Sequence, residues 1–316
     1  MADVQRTGLA LRDPLPWHDF EQVVRTAEEA GYEALFVPEI AGREAFSTLA
    51  GVAGATERIG LGTGVVALPA RRLSTTAMAA ATVQELSGGR LVLGLGAGPP
   101  GRGSLDRVRR GVLGLRAALS DRAVAEADGF RLTLALGEPP PIWVAALGDR
   151  MVALAGEVAD GVLLNWCTPE RVTRACGLIA EGAARAGRDP AAVTVAAYVR
   201  ACIDADEEVA VAALKEPAGL YASMPHYRRQ LEAIGLGPLA AAAAEATGRG
   251  RPEEVPEELV RALCLVADPE AAMSRLAEFH RAGADLAVVY PVPAREPVSS
   301  VMGTILALAP SPVLQP

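Results

Sequence analysis

Ala27-Glu28-Glu29-Ala30-Gly31, followed after two residues by Ala34-Leu35-Phe36-Val37, is the stretch that decides the fold, because its pattern returns twice further along the chain. An alanine-rich helical segment ends at a glycine, and a short apolar run follows at once. The same order is found in Ala155-Gly156-Glu157-Val158-Ala159-Asp160-Gly161 before Val162-Leu163-Leu164, and in His280-Arg281-Ala282-Gly283 before Leu286-Ala287-Val288-Val289. Glycine past a helix end takes up the left-handed conformation without penalty, and an unbroken apolar run suits a parallel strand covered on both faces. Each copy therefore reads as helix, stop, buried strand.

With the apolar runs between these units, the chain carries eight expected strands, at 7–11, 34–37, 59–66, 91–95, 142–146, 161–164, 193–199 and 286–290. Helical patterns follow them at 17–30, 46–55, 74–86, 105–119, 149–159, 169–186, 207–221 and 299–308. Strict alternation argues a parallel sheet, and eight units argue closure into an α/β barrel of the (β/α)8 type. We expect a single domain over 1–316, with insertions at about 99–141, after the fourth strand, and 217–256, before the eighth. Connections that long commonly shape a pocket or decorate the surface.

The 316 residues are 51% hydrophobic and 22% charged, which excludes a disordered chain. No apolar run reaches the roughly eighteen residues that a membrane span needs. Residues 1–6 lack the basic start and greasy stretch of a secretory signal, so a cytoplasmic location is expected, with Cys167, Cys176, Cys202 and Cys264 reduced. The three histidines, His18, His226 and His280, lie far apart, and no metal site is expected. A net charge of −8 without a long Lys/Arg run leaves no footprint for nucleic acid, and the expected partner is a small molecule.

Glycines gather at three strand ends: Gly60-Leu61-Gly62-Thr63-Gly64, Gly94-Leu95-Gly96-Ala97-Gly98 and Ala145-Ala146-Leu147-Gly148. A ligand approaching bare backbone needs such residues, although in a barrel they also relieve packing between strands and helices. Gly96-Ala97-Gly98-Pro99-Pro100-Gly101 spells the GxGxxG of dinucleotide sites. That match is accidental: prolines stand where the helix holding pyrophosphate would start, and no acidic residue ends a second strand about twenty residues on. In Ala146-Leu147-Gly148-Asp149-Arg150 a strand runs directly into a helix, whose first free amides suit a phosphate. Arg150 either adds charge there or lies on a solvated face. Glu39, just past the second strand, is placed for acid, base or substrate-anchoring work, or caps a loop. Asn165 and Trp166 end the sixth strand with an amide and an indole at the same mouth, whereas Trp143, inside the fifth strand, also reads as barrel core. No Ser/His/Asp grouping appears, so hydrolysis is not expected.

The segments 59–66, 77–98 and 140–163 closely resemble the luciferase-like monooxygenase family, and Ser87-Gly88-Gly89-Arg90 is the most specific part of the match. The resemblance covers the second to sixth strands and extends more weakly to Asp268-Pro269-Glu270 and the eighth strand. It implies a luciferase-like TIM barrel that carries its cofactor over the C-terminal mouth. Members use reduced flavin with oxygen, or the deazaflavin coenzyme F420 for hydride transfer. Gly64 and Val65 fall where members carry a bulge or non-prolyl cis peptide behind the cofactor ring. Ala97, Gly98, Ala146, Leu147 and Gly148 fall where they contact its tail and phosphate. Asp149, Arg150, Asn165 and Trp166 complete the expected cofactor site, and Glu39 is the candidate catalytic residue. The Gly-Thr-Gly-Val and Ala-Ala-Leu-Gly wording is similar to that of methylenetetrahydromethanopterin reductase-like proteins. The resemblance therefore implies an F420-dependent oxidoreductase acting on a small organic substrate, with an FMN-dependent monooxygenase as the alternative, and a homodimer. Many relatives have histidine where Ile40 follows Glu39, and the segment 98–103 is short. A cofactor-free barrel with a binding or structural role is the alternative from another class.

Overall fold

A computed structural model describes residues 5–12, 15–99, 101–120, 129–204, 206–266 and 268–310, and the alternation read from the sequence closes there into a barrel. The parallel strands β1 (Arg6–Ala10), β2 (Ala34–Val37), β3 (Gly60–Thr63), β5 (Leu91–Gly96), β6 (Ile142–Ala145), β7 (Gly161–Asn165), β8 (Thr194–Cys202) and β10 (Leu286–Pro291) pair in that order. β10 pairs with both β8 and β1, which completes the ring. Two short strands, β4 (Val66–Ala67) and β9 (Cys264–Val266), lie off it, on β5 and β8.

Helices α1 (Trp17–Glu29), α2 (Ala45–Ala53), α3 (Leu73–Leu86), α4 (Ser104–Leu119), α5 (Asp149–Val158) and α6 (Pro169–Arg185) follow successive strands, and α12 (Pro297–Ala307) follows β10. Their apolar stripes, such as Phe20, Val23 and Val24 of α1, pack on the outward strand residues as one layer. A second apolar group fills the lumen. There the Phe36 ring lies 5.6 Å from Trp143 and 5.8 Å from Tyr198. Trp143 is thus barrel core, the second of its two readings.

Two expected strands differ from what is found. The expected strand 59–66 stops at Thr63, the Gly64–Val65 peptide is cis, and Val66–Ala67 resumes alongside β5. Thr63 replaces a rung of the ladder with its side chain: the hydroxyl donates to Gly94 O and accepts from Gly94 N, both at 2.8 Å. The expected strand 193–199 runs on to Cys202, because β9 takes over beside β8 where β7 ends. Tyr198 is the last β8 residue opposite β7, and Arg200 is the first opposite β9. A charged residue inside an apolar run masked this extension.

Of the expected excursion 99–141, Pro100 and residues 121–128 lie outside the described residues, and α4 occupies much of the rest. The stretch 217–256 falls within a helical cap of α7 (Glu207–Ser223), α8 (Pro225–Ala233), α9 (Gly237–Gly248) and α10 (Glu257–Leu263), and α11 (Pro269–Arg281) follows β9. Pro217 does not mark the cap's start but sits inside α7, whose buried Ala210, Leu214, Ala218 and Ala222 recur every fourth residue and carry the helix through. The cap has its own apolar cluster, with Leu231, Leu259 and Leu263 around Trp166.

Ser87-Gly88-Gly89-Arg90 lies at the N-terminal end of the barrel, away from the mouth. Gly88 and Gly89 take φ of +64° and +93°, which side chains resist. They turn Arg90 so that it donates to Ser87 O (2.7 Å), Ile59 O (2.8 Å), Thr56 O (2.9 Å) and Ala53 O (3.1 Å). One guanidinium thus binds the end of α2 to the start of β3.

Candidate active site

The barrel strands end in a cavity of about 560 Å³, and the glycine clusters make one side of it. At the floor a Cβ on Gly64 would run into the Tyr198 hydroxyl and come within 3.0 Å of Phe36 Cβ, while one on Gly96 would come within 2.8 Å of Val65 Cγ2. Packing against Tyr198, Phe36 and Val65 thus leaves no room for a side chain at either position. Ala97 and Gly98 continue the floor. Gly98, at φ +73°, packs against Pro69.

The next wall is the turn between β6 and α5. Leu147 and Gly148 line the cavity. Gly148 is the N-cap of α5 in ordinary extended conformation (φ −84°, ψ 152°), and nothing stands within 4 Å of where its Cβ would be. The amides of Asp149 and Arg150 precede the helical ladder, so the helix start is open toward an anion. Ala146, Asp149 and Arg150 do not line the cavity: Ala146 is buried behind the turn, and Arg150 is exposed to solvent. Asp149 turns away to pair with Arg174 and, at 3.3 Å, with Arg171. The hydrogen bond from Arg174 holds its carboxyl below the ordinary value, helped by the charges of Arg171 and Arg174 and opposed by burial. Arg171, itself buried, donates to Leu147 O at 2.8 Å and fixes the turn from behind.

Glu39 lines the mouth, but its oxygens are engaged: Oε2 accepts from Ala45 N at 3.1 Å and from Arg71 Nη2 at 2.7 Å. Arg71 also pairs with Glu44, the N-cap of α2. The geometry of Glu39 is that of the capping carboxylate.

On the opposite side, Asn165 lines the cavity; its Oδ1 accepts from Arg200 and its Nδ2 donates to Tyr227 Oη at 2.7 Å. Trp166 does not line it. At φ +51° the chain turns the indole away from the mouth into the cap, where it is 2% exposed. Gln230 of α8 donates to the carbonyls of both residues, at 2.8 and 2.6 Å.

Sequence reasoning missed Tyr198, Arg200, Tyr227 and Tyr290, all of which line the cavity. Tyr198 and Arg200 share a strand face, being two residues apart, and Tyr290 pairs with Arg200 from β10. A Tyr-x-Arg step at the C-terminal end of a barrel strand was the available signal. Burial pushes the Tyr198 phenol well above its ordinary value, and those of Tyr227 and Tyr290 to about 12, so all three are neutral donors at physiological pH.

A parallel eight-stranded β/α barrel with a glycine-floored cavity at the strand C-termini, covered on one side by a helical cap, is a small-molecule enzyme architecture. The luciferase-like monooxygenase family matches residues 2–286, and the chain belongs to that family. It is 34% identical to a 5,10-methylenetetrahydromethanopterin reductase of Methanolobus tindarius over 60% of its own length, and spans 62% of the length of that relative. It is 29% identical, over 87% of its own length and 91% of the other, to a Mycobacterium tuberculosis protein provisionally named a coenzyme F420-dependent oxidoreductase. In fold it is similar to the coenzyme F420-dependent tetrahydromethanopterin reductase of Methanopyrus kandleri, with a TM-score of 0.81, 24% identity and 98% of each chain covered. Among the described residues no helix is long and apolar enough to cross a membrane.

Proposed function

We propose that this chain is an oxidoreductase that uses the deazaflavin coenzyme F420 to transfer a hydride to or from a small organic substrate. The observation that carries the proposal is the pairing, within one cavity, of a wall at Gly64, Val65 and Gly96 that carries no side chain larger than valine's with an open helix start at Gly148. A planar ring rests against the first, and a phosphate gains most from the second. The name of the Mycobacterium tuberculosis relative favours the deazaflavin over FMN. When bound, the cofactor supplies the hydride chemistry, and the chain supplies position and shielding. Gly64 and Val65 would lie behind the ring, Ala97, Gly98, Leu147 and Gly148 would line the path of the tail and phosphate, and the Tyr198 hydroxyl offers a polar group to the remaining space. The homodimer and the cytoplasmic location expected from the sequence belong to the same proposal.

Fluorescence titration of the protein with coenzyme F420, and separately with FMN, tests it. Saturable F420 binding, tighter than that of FMN, is the expected result. Tight FMN binding alone moves the assignment to the monooxygenase side of the family, and no binding of either leaves a cofactor-free barrel.

A further inference from the structure

Arg200 is 3% exposed, yet no acidic side chain pairs with it among the described residues. What surrounds it are rings: its Cζ lies 4.4 Å from the centroid of Tyr290, 4.5 Å from Trp166 and 5.2 Å from Tyr221. Rings stabilise a cation through their faces without consuming its N–H donors. The guanidinium carries five such donors, and one hydrogen bond, from Nη1 to Asn165 Oδ1, is what it makes among the described residues. Arg200 lines the cavity, as does Tyr198, 5% exposed, whose hydroxyl has no partner among the described residues. The other charged groups there reinforce the sign. Arg229 adds a second cation, while Glu39 is occupied by Arg71. A chain of net charge −8 thus keeps a positive, donor-rich pocket at the end of its own barrel. A buried arginine without a carboxylate is costly unless an anion completes it, and a planar guanidinium fork fits a carboxylate in two parallel hydrogen bonds.

We infer that the substrate carries a carboxylate, which sits on the free N–H edge of Arg200, with Asn165 fixing the guanidinium from the other side. The inference rests on the reading of this cavity as an oxidoreductase site. It makes Arg200 the residue that selects acids over neutral molecules.

Calorimetric titration with benzoate and with its uncharged analogue benzamide, in the absence and presence of saturating coenzyme F420, tests it without turnover. The parent protein is expected to bind benzoate at least about tenfold more tightly than benzamide, with or without the cofactor. Arg200→Met is expected to lose that preference while keeping its affinity for F420 within about threefold, and Arg200→Lys, which keeps the charge but not the fork, to retain it in weakened form. Should the Met variant fail to fold, the benzoate-to-benzamide ratio of the parent and of Arg200→Lys decides the matter. Equal binding of the two probes, no benzoate binding, or an unchanged preference in Arg200→Met overturns the inference. Exclusion of benzoate by F420 also overturns it, since Arg200 would then serve the cofactor. Benzoate binding at Arg200 without any F420 binding sustains the anion site and removes the cofactor proposal instead.

Discussion

At the scale of single residues, the sharpest lever is Gly148. Its φ of −84° suits any side chain and its surroundings are open, so Gly148→Asp leaves the fold intact while placing a negative charge at the helix start. Under the proposed function, F420 affinity falls by about 1.5 to 3 kcal/mol, or about ten- to a hundredfold, with an unchanged thermal midpoint. Fluorescence titration beside a melting curve reads both. Glu39 calls for the opposite pattern. Because its oxygens serve Arg71 and the Ala45 amide, Glu39→Gln should lower stability by about 1 kcal/mol or less and leave turnover of an identified substrate within about threefold. A large loss of turnover with an unaltered melting curve would return it to the chemistry. Gly64 and Gly98 were legible in the sequence because close packing, on Phe36 and Tyr198 for the one and on Pro69 for the other, leaves no room for a side chain, and Gly148 because it joins a strand directly to a helix. Arg200 was not, because a charge in an apolar run reads as the end of a strand, and Asn165 and Tyr290, which meet it, are 35 and 90 positions away.

At the scale of elements, position and type were read well, since each strand is covered on both faces and each helix on one. Role was read less well. Ser87-Gly88-Gly89-Arg90 was the most specific wording in the chain, yet it works at the barrel end opposite the cavity. Arg90→Met removes the donors of several backbone carbonyls at once and should cost on the order of 2 to 4 kcal/mol in urea unfolding without weakening cofactor binding. The α5–α6 contact holds a similar constraint. A Cβ on Gly182 would stand 2.9 Å from Ala153 C, and one on Gly156 3.0 Å from Ile179 C, so these helices meet backbone to backbone. Gly182→Ala should therefore destabilise the fold by about 1 to 3 kcal/mol, although alanine favours helices, and a denaturation midpoint checks the sign.

For the whole molecule, acid is the informative perturbation. Burial pushes the Glu28 carboxyl up, but the amides of Ile59, Arg58 and Glu57 outweigh it and leave the group below its ordinary 4.5. Glu157 is likewise raised by burial and drawn below 4.5 by Arg109 and Arg185. A carboxyl with a depressed folded-state pKa binds protons less readily in the native state than in the unfolded one. Its contribution is complete above the ordinary value and is lost as the pH falls through the folded one. The thermal midpoint should therefore decline as the pH is lowered from about 5 to 3, and Glu28→Gln should decline less steeply than the parent. A parent midpoint that is flat across that interval contradicts this account.

The relay of strands along β8 bears on how this molecule can be cut. β9 hydrogen-bonds to β8 at Arg200, Ala201 and Cys202, beyond the point where β7 has ended. A truncation that removes the cap together with β9 would leave the last rungs of β8 with unpaired amides and carbonyls on one side, at the rim of an otherwise edgeless barrel. Such a rim is a template for another chain's strand. A trimmed barrel would therefore be prone to self-association, whereas a graft that swaps α7–α10 but keeps Cys264–Val266 would keep the seam closed.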